Sequence, residues 1–273
     1  MPELPEVEVT RRGLEPYLTQ QIIERITLRH TKLRYPLNTQ QLALCAGQTI
    51  QTVQRRAKYL LLYLTQGVLI IHLGMSGRLS LLKKTTEPGK HDHIDLILKN
   101  QTIVRYNDPR RFGVWLYTTE SLVNHRLFVH LGPEPLTMRF NAPLLYQASR
   151  NKLQCVKNFI MDNRNVVGVG NIYASESLFL AGIHPAMPST KLNFHQCLKL
   201  VRTIRVVLQQ ALLAGGTSFS DFLNAEQQPG LFVQQLKVYG RAKAPCMVCN
   251  HLLEYLTLGG RRSVFCPHCQ NTL

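Results

Sequence analysis

Four cysteines near the C-terminus offer the plainest chemistry in the sequence. Cys246-Met-Val-Cys249 and Cys266-Pro-His-Cys269 are two Cys-x-x-Cys knuckles separated by sixteen residues. Knuckles at this separation deliver four thiolates tetrahedrally to one Zn²⁺ and leave no open coordination position, which marks a structural site and not a catalytic one. A redox role needs a single pair, and the doubling at finger spacing favours the metal. About forty residues cannot bury a core of their own, so the ion replaces one. His268 lies between the last two ligands and reads as a bystander. The same stretch carries Lys237, Arg241, Lys243, Arg261 and Arg262, and stays positive once four thiolates, one zinc ion and Glu254 are counted.

The other end of the chain is reactive in a different way. It opens Met1-Pro2-Glu3-Leu4-Pro5-Glu6. Methionine before proline is normally excised, which exposes Pro2 as a secondary amine with a pKa of about 8, partly neutral and nucleophilic near neutral pH. Pro5, with Glu6 and Glu8 after it, reads as a helix start: proline at the first helical position and acids in the first turn. Such a helix aims its positive end at the amine and lowers its pKa. Glu3 and Glu6 pull it the other way while supplying general acid or base groups. Standing alone, these residues would read as a solvated acidic leader.

The elements that must position these groups divide the 273 residues into three stretches. From about Ile22 to Tyr117, short β-branched or aliphatic runs (Ile22–Leu28, Tyr59–Leu64, Val68–Leu73, His93–Leu98 and Thr102–Tyr106) alternate with turn residues, as in a β-sandwich or barrel. Leu131-Gly-Pro-Glu-Pro135 breaks that pattern and sets a boundary near 134/135. Helical signals follow at Lys152–Met161, at Ile172–Ala181 before Gly182, and from Asn193, whose amide caps while Gln196 reaches back. In this last helix Leu198, Val201, Ile204, Leu208 and Ala211 keep helical spacing up to Gly215-Gly216. The expectation is an α+β multidomain protein: 1–134 a β-sandwich preceded by the N-terminal helix, 135–236 helical, and 237–273 a zinc-finger hairpin.

Charge indicates the partner. There are 32 Lys+Arg against 16 Asp+Glu, a net +16, and a surplus of this size suits nucleic acid or an anionic membrane. Membranes are disfavoured. The start has no basic and apolar leader, and the most apolar stretch, Tyr59–Leu73, is interrupted by Thr65-Gln66-Gly67. A cytoplasmic, nucleic-acid-facing protein is expected. Cys45, Cys155 and Cys197 stand singly in apolar surroundings and read as buried hydrophobes; seven cysteines without a leader argue against a disulfide scaffold.

Pro2-Glu-Leu-Pro-Glu-Val-Glu8 resembles the signature N-terminus of the formamidopyrimidine-DNA glycosylases. So do Gln54-Arg-Arg-Ala-Lys58-Tyr-Leu, His72-Leu-Gly-Met75-Ser-Gly, Lys90-His91-Asp-His and Asp108-Pro-Arg110-Arg-Phe112-Gly. His130-Leu-Gly-Pro-Glu-Pro135, Val167-Gly-Val-Gly-Asn171-Ile-Tyr-Ala-Ser-Glu176 and the four-cysteine finger complete the set, in the family's order along essentially the whole chain. The resemblance implies a bacterial, nucleoid-associated repair enzyme, monomeric and without a nucleotide cofactor. It would excise oxidised purines from double-stranded DNA and cut the abasic strand by β,δ-elimination, its helical region being the family's helix–two-turn–helix. Pro2 would attack C1′ and form an imine. Glu3 would be the proton donor, with Glu6 and Thr217 in the lesion pocket, and Lys58 the basic residue of β-elimination. The resemblance matches Arg261 to the δ-elimination arginine, with Arg262 beside it as the alternative. His91, Arg110, Lys152 and Asn171 would contact phosphates. Met75, Arg110 and Phe112 would form a wedge that fills the hole left by an extruded base; without the motifs, Met75 and Phe112 would read as core and Lys58 as a surface lysine. Gly216 to Leu223 corresponds to a lesion-capping loop. Leu153 and Gln154 depart from the family pattern, which weakens the match at Lys152. Two rivals stand beside this reading: an endonuclease VIII-type enzyme for oxidised pyrimidines, against which Leu4 speaks, and a non-enzymatic zinc-finger DNA-binding protein, which leaves Pro2, Glu3 and Lys58 unexplained.

Overall fold

The computed structural model describes residues 2–82, 87–150, 152–217 and 230–271. The chain divides into two compact units, 1–125 with 212–233, and 126–211 with 234–273.

The first unit starts with helix α1 (Leu4–Leu18). Pro5 takes the second helical position, not the first, because a capping box closes one residue earlier. The Glu3 side chain accepts the Glu6 N–H, and Glu6 accepts the Glu3 N–H at 2.7 Å. Among the described residues eight strands follow, with one short helix, α2 (Thr39–Ala43): β1 (Ile23–Leu28), β2 (Ile50–Arg56), β3 (Tyr59–Leu64), β4 (Val68–His72), β5 (Arg78–Leu82), β6 (Asp92–Leu98), β7 (Ile103–Asn107) and β8 (Val114–Thr118). They pair antiparallel into two four-stranded sheets, β1-β6-β7-β5 and β2-β3-β4-β8. Alternate residues of both sheets, among them Leu60, Leu62, Ile71, Leu96, Val104 and Trp115, share one core with Val7, Leu14 and Leu18 of α1. Each fully buried leucine of this kind contributes about 2 kcal/mol.

The apolar runs read from sequence all fall on strands. Strand β2 gives a weaker signal, since only Ile50 and Val53 are apolar and a register shift between Ile50 and Thr52 breaks the alternation. Helix α1 is fastened to it: Arg11 donates to the Val53 carbonyl at 3.1 Å, and Arg55 donates to Glu8 at 3.1 Å. Burial would raise the Glu8 pKa, but hydrogen bonds and charges from Arg11, Arg12 and Arg55 outweigh it and hold the carboxyl below its ordinary range.

The second unit holds α3 (Ala142–Ser149), α4 (Val156–Met161), α5 (Asn171–Ala181) and most of α6 (Phe194–Leu213), then the hairpin of β9 (Glu254–Leu258) and β10 (Arg261–Phe265). Helix α4 begins four residues later than the expected Lys152. Cys155 is extended and bridges Pro188, and the Gln154 carbonyl accepts from the Ser189 N–H at 3.0 Å, so this stretch pairs with another strand of chain instead of coiling. Cys155 is accordingly only half-buried, unlike Cys45 and Cys197. Helix α6 starts as expected: Asn193 Oδ1 accepts the Gln196 N–H at 2.8 Å and Gln196 Oε1 accepts the Asn193 N–H at 3.0 Å. Its inner stripe runs Cys197, Leu200, Val201, Ile204, Val207, Leu208 and Ala211. Leu198 is one residue out of phase and exposed, contrary to the sequence pattern.

Helix α5 is buried nearly all round and ends at Gly182, which adopts φ +69. The hairpin docks through Phe179, Val238, Leu253 and Val264. Glu176 of α5 adds a polar anchor, accepting the N–H groups of Lys237, Val238 and Tyr239 at 2.8–3.0 Å. No described helix is long and apolar enough to cross a membrane.

Candidate active site and nucleic-acid surface

Pro2 is buried, and Glu3 and Glu6 are only 1% and 2% exposed. The capping box occupies one Glu6 oxygen, and the other accepts the Thr217 N–H at 2.8 Å. Gly216 permits this approach: it sits at φ +85, and a Cβ there would lie 3.2 Å from Glu6 Oε1. The Thr217 strand is closed against residues 231–232 by Leu231 N–H to Ala214 O at 2.9 Å and Phe232 N–H to Gly216 O at 3.1 Å. The structure therefore brings Glu3, the residue that follows Pro2 in sequence, together with Glu6 and Thr217. Ser218 to Leu223, the rest of the expected lesion-capping loop, and Met1 lie outside the described residues.

Lys58 is only 8% exposed, in the two-residue turn between β2 and β3. Its neighbour Ala57 adopts φ +54, a left-handed conformation uncommon for a residue with a side chain. The Arg55 guanidinium steadies the turn by donating to the Ala57 carbonyl at 2.8 Å. Through Arg55 and Glu8, the lysine turn and α1 are parts of one hydrogen-bonded assembly.

Met75 and Phe112 are 40% and 42% exposed, so neither belongs to the core. The Arg110 guanidinium lies 5.1 Å from the Phe112 ring centroid. All three line a cavity of about 700 Å³ whose wall also includes Lys32, Arg34 and His72. His72 Nδ1 accepts the Gly74 N–H at 3.0 Å, which leaves the proton of the neutral ring on Nε2. Burial first, then the charges of Lys58 and Arg34, push the His72 pKa down to about 4. His91 is half-buried, and its carbonyl accepts the Asp108 N–H at 3.0 Å.

In the second unit Asn171 opens α5 just after Gly170. Its side chain is held by a fully buried lysine that sequence reasoning missed. Lys157 Nζ donates to Asn171 Oδ1 and to Ser263 Oγ, both at 2.6 Å. Asn171 Nδ2 in turn donates to the Arg262 carbonyl at 3.4 Å. The one available signal was helical phase, since Lys157 shares the buried face of α4 with Val156, Phe159 and Ile160. The Arg262 guanidinium stacks on Tyr255, 4.1 Å from its centroid. Arg261 precedes it on β10 and, by strand alternation, projects from the opposite face. Lys152 is half-buried, and its carbonyl accepts from Ser189 Oγ at 2.8 Å.

The Sγ atoms of Cys246, Cys249, Cys266 and Cys269 lie within 4.8 Å of one another. Individual separations are 4.0 Å for Cys246–Cys269 and 3.4 Å for both Cys249–Cys266 and Cys249–Cys269. Tetrahedral Zn–S bonds of about 2.3 Å require S···S spacings of about 3.8 Å, so the donor set fits one zinc ion. The Val248 and Cys269 N–H groups point at Cys246 Sγ and Cys266 Sγ, each at 3.4 Å, and favour the thiolate form. His268 stacks on exposed His251 with centroids 4.5 Å apart.

Comparison with known proteins agrees with this geometry. The formamidopyrimidine-DNA glycosylase N-terminal domain family matches residues 1–115, and the formamidopyrimidine-DNA glycosylase H2TH domain family matches residues 131–222. The formamidopyrimidine-DNA glycosylase of Actinobacillus pleuropneumoniae serotype 3 is 51% identical over 99% of this chain and 98% of its own length. That of Serratia proteamaculans is 51% identical over 99% and 100%. Among solved structures, the MutM (Fpg) protein of Thermus thermophilus superposes with a TM-score of 0.89 at 36% identity, covering both chains completely. A mutant of Lactococcus lactis Fpg, crystallised with Fapy-dG-containing DNA, gives 0.90 at 32% identity over 99% of this chain and 100% of that one. The chain belongs to the formamidopyrimidine-DNA glycosylase family.

Proposed function

We propose that this chain is a base excision repair glycosylase and abasic-site lyase that removes oxidised purines, formamidopyrimidines among them, from double-stranded DNA. The observation that carries the reading is the N-terminus itself. Burying two carboxylates beside the first residues of a chain is costly, and a nucleophilic amine with an acid beside it gives that arrangement a purpose. Pro2 nitrogen attacks C1′ of the damaged nucleotide, the base departs with a proton supplied through Glu3, and, as Pro2 gives up its own N–H proton and O4′ takes one up, the sugar ring opens to an iminium on Pro2. Lys58 serves β-elimination and contacts phosphate. Arg261, on the hairpin face opposite the Arg262–Tyr255 stack, serves δ-elimination. Glu6 and Thr217 line the lesion pocket. His91, Arg110, Lys152 and Asn171 hold phosphates, and Met75, Arg110 and Phe112 form the wedge.

The four cysteines hold one zinc ion, which supplies cross-linking to the hairpin. The residues of the chain do the rest: Glu176 and Lys157 tie that hairpin to α5. We retain the modules 1–134, 135–236 and 237–273 as functional divisions, and a cytoplasmic, nucleoid-associated monomer that needs no nucleotide cofactor. A Lactococcus lactis relative has been crystallised with DNA containing an oxidised pyrimidine, so the substrate panel should include one. Borohydride reduction during turnover on an 8-oxoguanine duplex, followed by peptide mapping, tests the reading. A DNA adduct on Pro2 supports it. Excision without any trapped adduct, or a preference for thymine glycol over 8-oxoguanine, would reject it in favour of a different mechanism or the pyrimidine-directed class.

A further inference from the structure

Two loops carry the exposed residues Met75, Arg110 and Phe112, and both converge on a carboxylate to which no role has been given. Asp108 is 0% exposed. Its Oδ1 accepts Ser76 Oγ–H at 2.7 Å and the Arg110 N–H at 3.3 Å. Its Oδ2 accepts the Gly113 N–H at 3.0 Å and Tyr106 Oη–H at 2.9 Å. Ser76 adjoins Met75 and Gly113 adjoins Phe112, so one side chain holds a position next to every member of the wedge.

Tyr106 closes the clamp from inside the sandwich. It is fully buried, and its hydroxyl also lies 3.2 Å from the Leu73 carbonyl, where the other loop begins. Both loops press on that hydroxyl so closely that only glycine fits: a Cβ on Gly113 would stand 1.8 Å from Tyr106 Oη, and one on Gly77 would stand 2.5 Å from it. Arg111, between Arg110 and Phe112, adopts φ +54, a conformation that persists only where surrounding contacts over-determine it. Its own N–H donates to the Asp108 carbonyl at 3.2 Å, and the Asp108 carboxylate bonds lie on either side.

We infer that Asp108 is a positioning residue that locks the Met75 and Phe112 loops into one rigid insertion unit, so that the side chains enter the duplex preformed. This rests on the proposed base-extruding function. A carboxylate suits the task because it accepts at two oxygens and donates nothing; an amide in its place would turn N–H groups towards the Arg110 or Gly113 N–H.

The test compares wild type, Asp108→Asn, Ser76→Ala and Tyr106→Phe on two duplexes under single-turnover conditions. One carries 8-oxoguanine paired with cytosine, with 2-aminopurine beside it as a fluorescent reporter of extrusion; the other carries a preformed abasic site. The ratio of excision rate to abasic-cleavage rate should fall about tenfold in Asp108→Asn and by a smaller factor in the other two, with slower 2-aminopurine fluorescence rise in each. Placing the lesion in an unpaired bulge should restore the ratio, because no base pair then has to be opened; a general loss of folding would not be rescued this way. Should Asp108→Asn fail to fold, Ser76→Ala and Tyr106→Phe decide the matter alone. Unchanged ratios in folded variants would overturn the inference while leaving the glycosylase reading intact, whereas a wild-type protein without excision would remove that reading itself.

Discussion

The Glu6 side chain joins the start of the chain to Thr217, accepting the Thr217 N–H at 2.8 Å and the Glu3 N–H at 2.7 Å on its two oxygens. Residues 211 positions apart in sequence are thereby fixed by one carboxylate. Glu6→Gln keeps the length but turns an NH₂ towards one of two N–H donors, so one bond is replaced by a repulsion. We expect 8-oxoguanine excision to slow about tenfold or more, with a smaller effect on a preformed abasic site. Equal losses on both substrates, measured by single-turnover gel assays, would assign Glu6 to the lyase step instead.

Pro2 must be a free amine to act. Protein engineered to keep a residue before Pro2 has an amide nitrogen there and should neither trap with borohydride nor cut. Pro2→Gly retains a primary amine and should trap weakly and cleave far more slowly. Lys58→Ala should slow turnover and still trap. Mass spectrometry locating the adduct on Lys58 would transfer the nucleophilic role to that residue.

One zinc ion per chain is expected by elemental analysis. Cys246→Ser should lower zinc content and weaken DNA binding about tenfold or more, while the thermal transition of the sandwich unit persists. Full DNA affinity in zinc-free protein would refute a structural role for the metal.

His72 should contribute to acid sensitivity. Its folded pKa of about 4 lies below the ordinary 6.5, so the neutral ring is favoured in the native state and the unfolded chain takes up the proton first. The stabilisation is complete above pH 6.5 and is lost as pH falls towards 4, by an amount of order 3 kcal/mol. Burial lowers His93 and His184 as well, so these two rings add to the same slope, whereas Glu176, raised by burial, opposes it. His72→Gln should flatten the slope of stability between these limits in urea melts. A slope identical to wild type would mean that the ring titrates freely in the folded protein.

The net charge of +16 should make DNA affinity fall linearly and steeply with log salt. Arg110→Ala should weaken binding to lesion duplex more than to undamaged duplex, because its guanidinium also stacks over Phe112. Fluorescence anisotropy titrations across salt concentrations check both; a flat dependence would place the basic residues away from the phosphates.

Much of this was legible because the governing interactions are local. The Asn193–Gln196 cap closes between residues three positions apart, and the Cys-x-x-Cys knuckles declare their ligands by spacing. The strands that are unbroken apolar runs between turn residues, such as Tyr59–Leu64, could be read directly. What stayed hidden depends on partners brought from afar. Asp108 meets Ser76 across 32 positions and Lys157 meets Ser263 across 106, so neither role is written near the residue that performs it. Lys152–Cys155 read as helix because its pairing with Pro188 and Ser189 is invisible locally. Met75 and Phe112 looked like core by residue type, and only their exposure separates surface tool from packing.

The Tyr106 hydroxyl, shared between Asp108 and the Leu73 carbonyl, constrains how this protein can vary. Its ring packs against Trp115 in the sandwich interior with centroids 5.8 Å apart, while its oxygen sets the height of two loops at the rim. Substitutions that enlarge or shrink the interior near this ring will therefore displace the loops before they unfold the protein. Thermostable variants obtained by repacking around Tyr106 should lose discrimination for damaged duplexes at temperatures where they remain folded. Heritable change at this spot must satisfy two demands at once, and residues 73, 77, 106, 108, 113 and 115 should drift together across lineages or not at all.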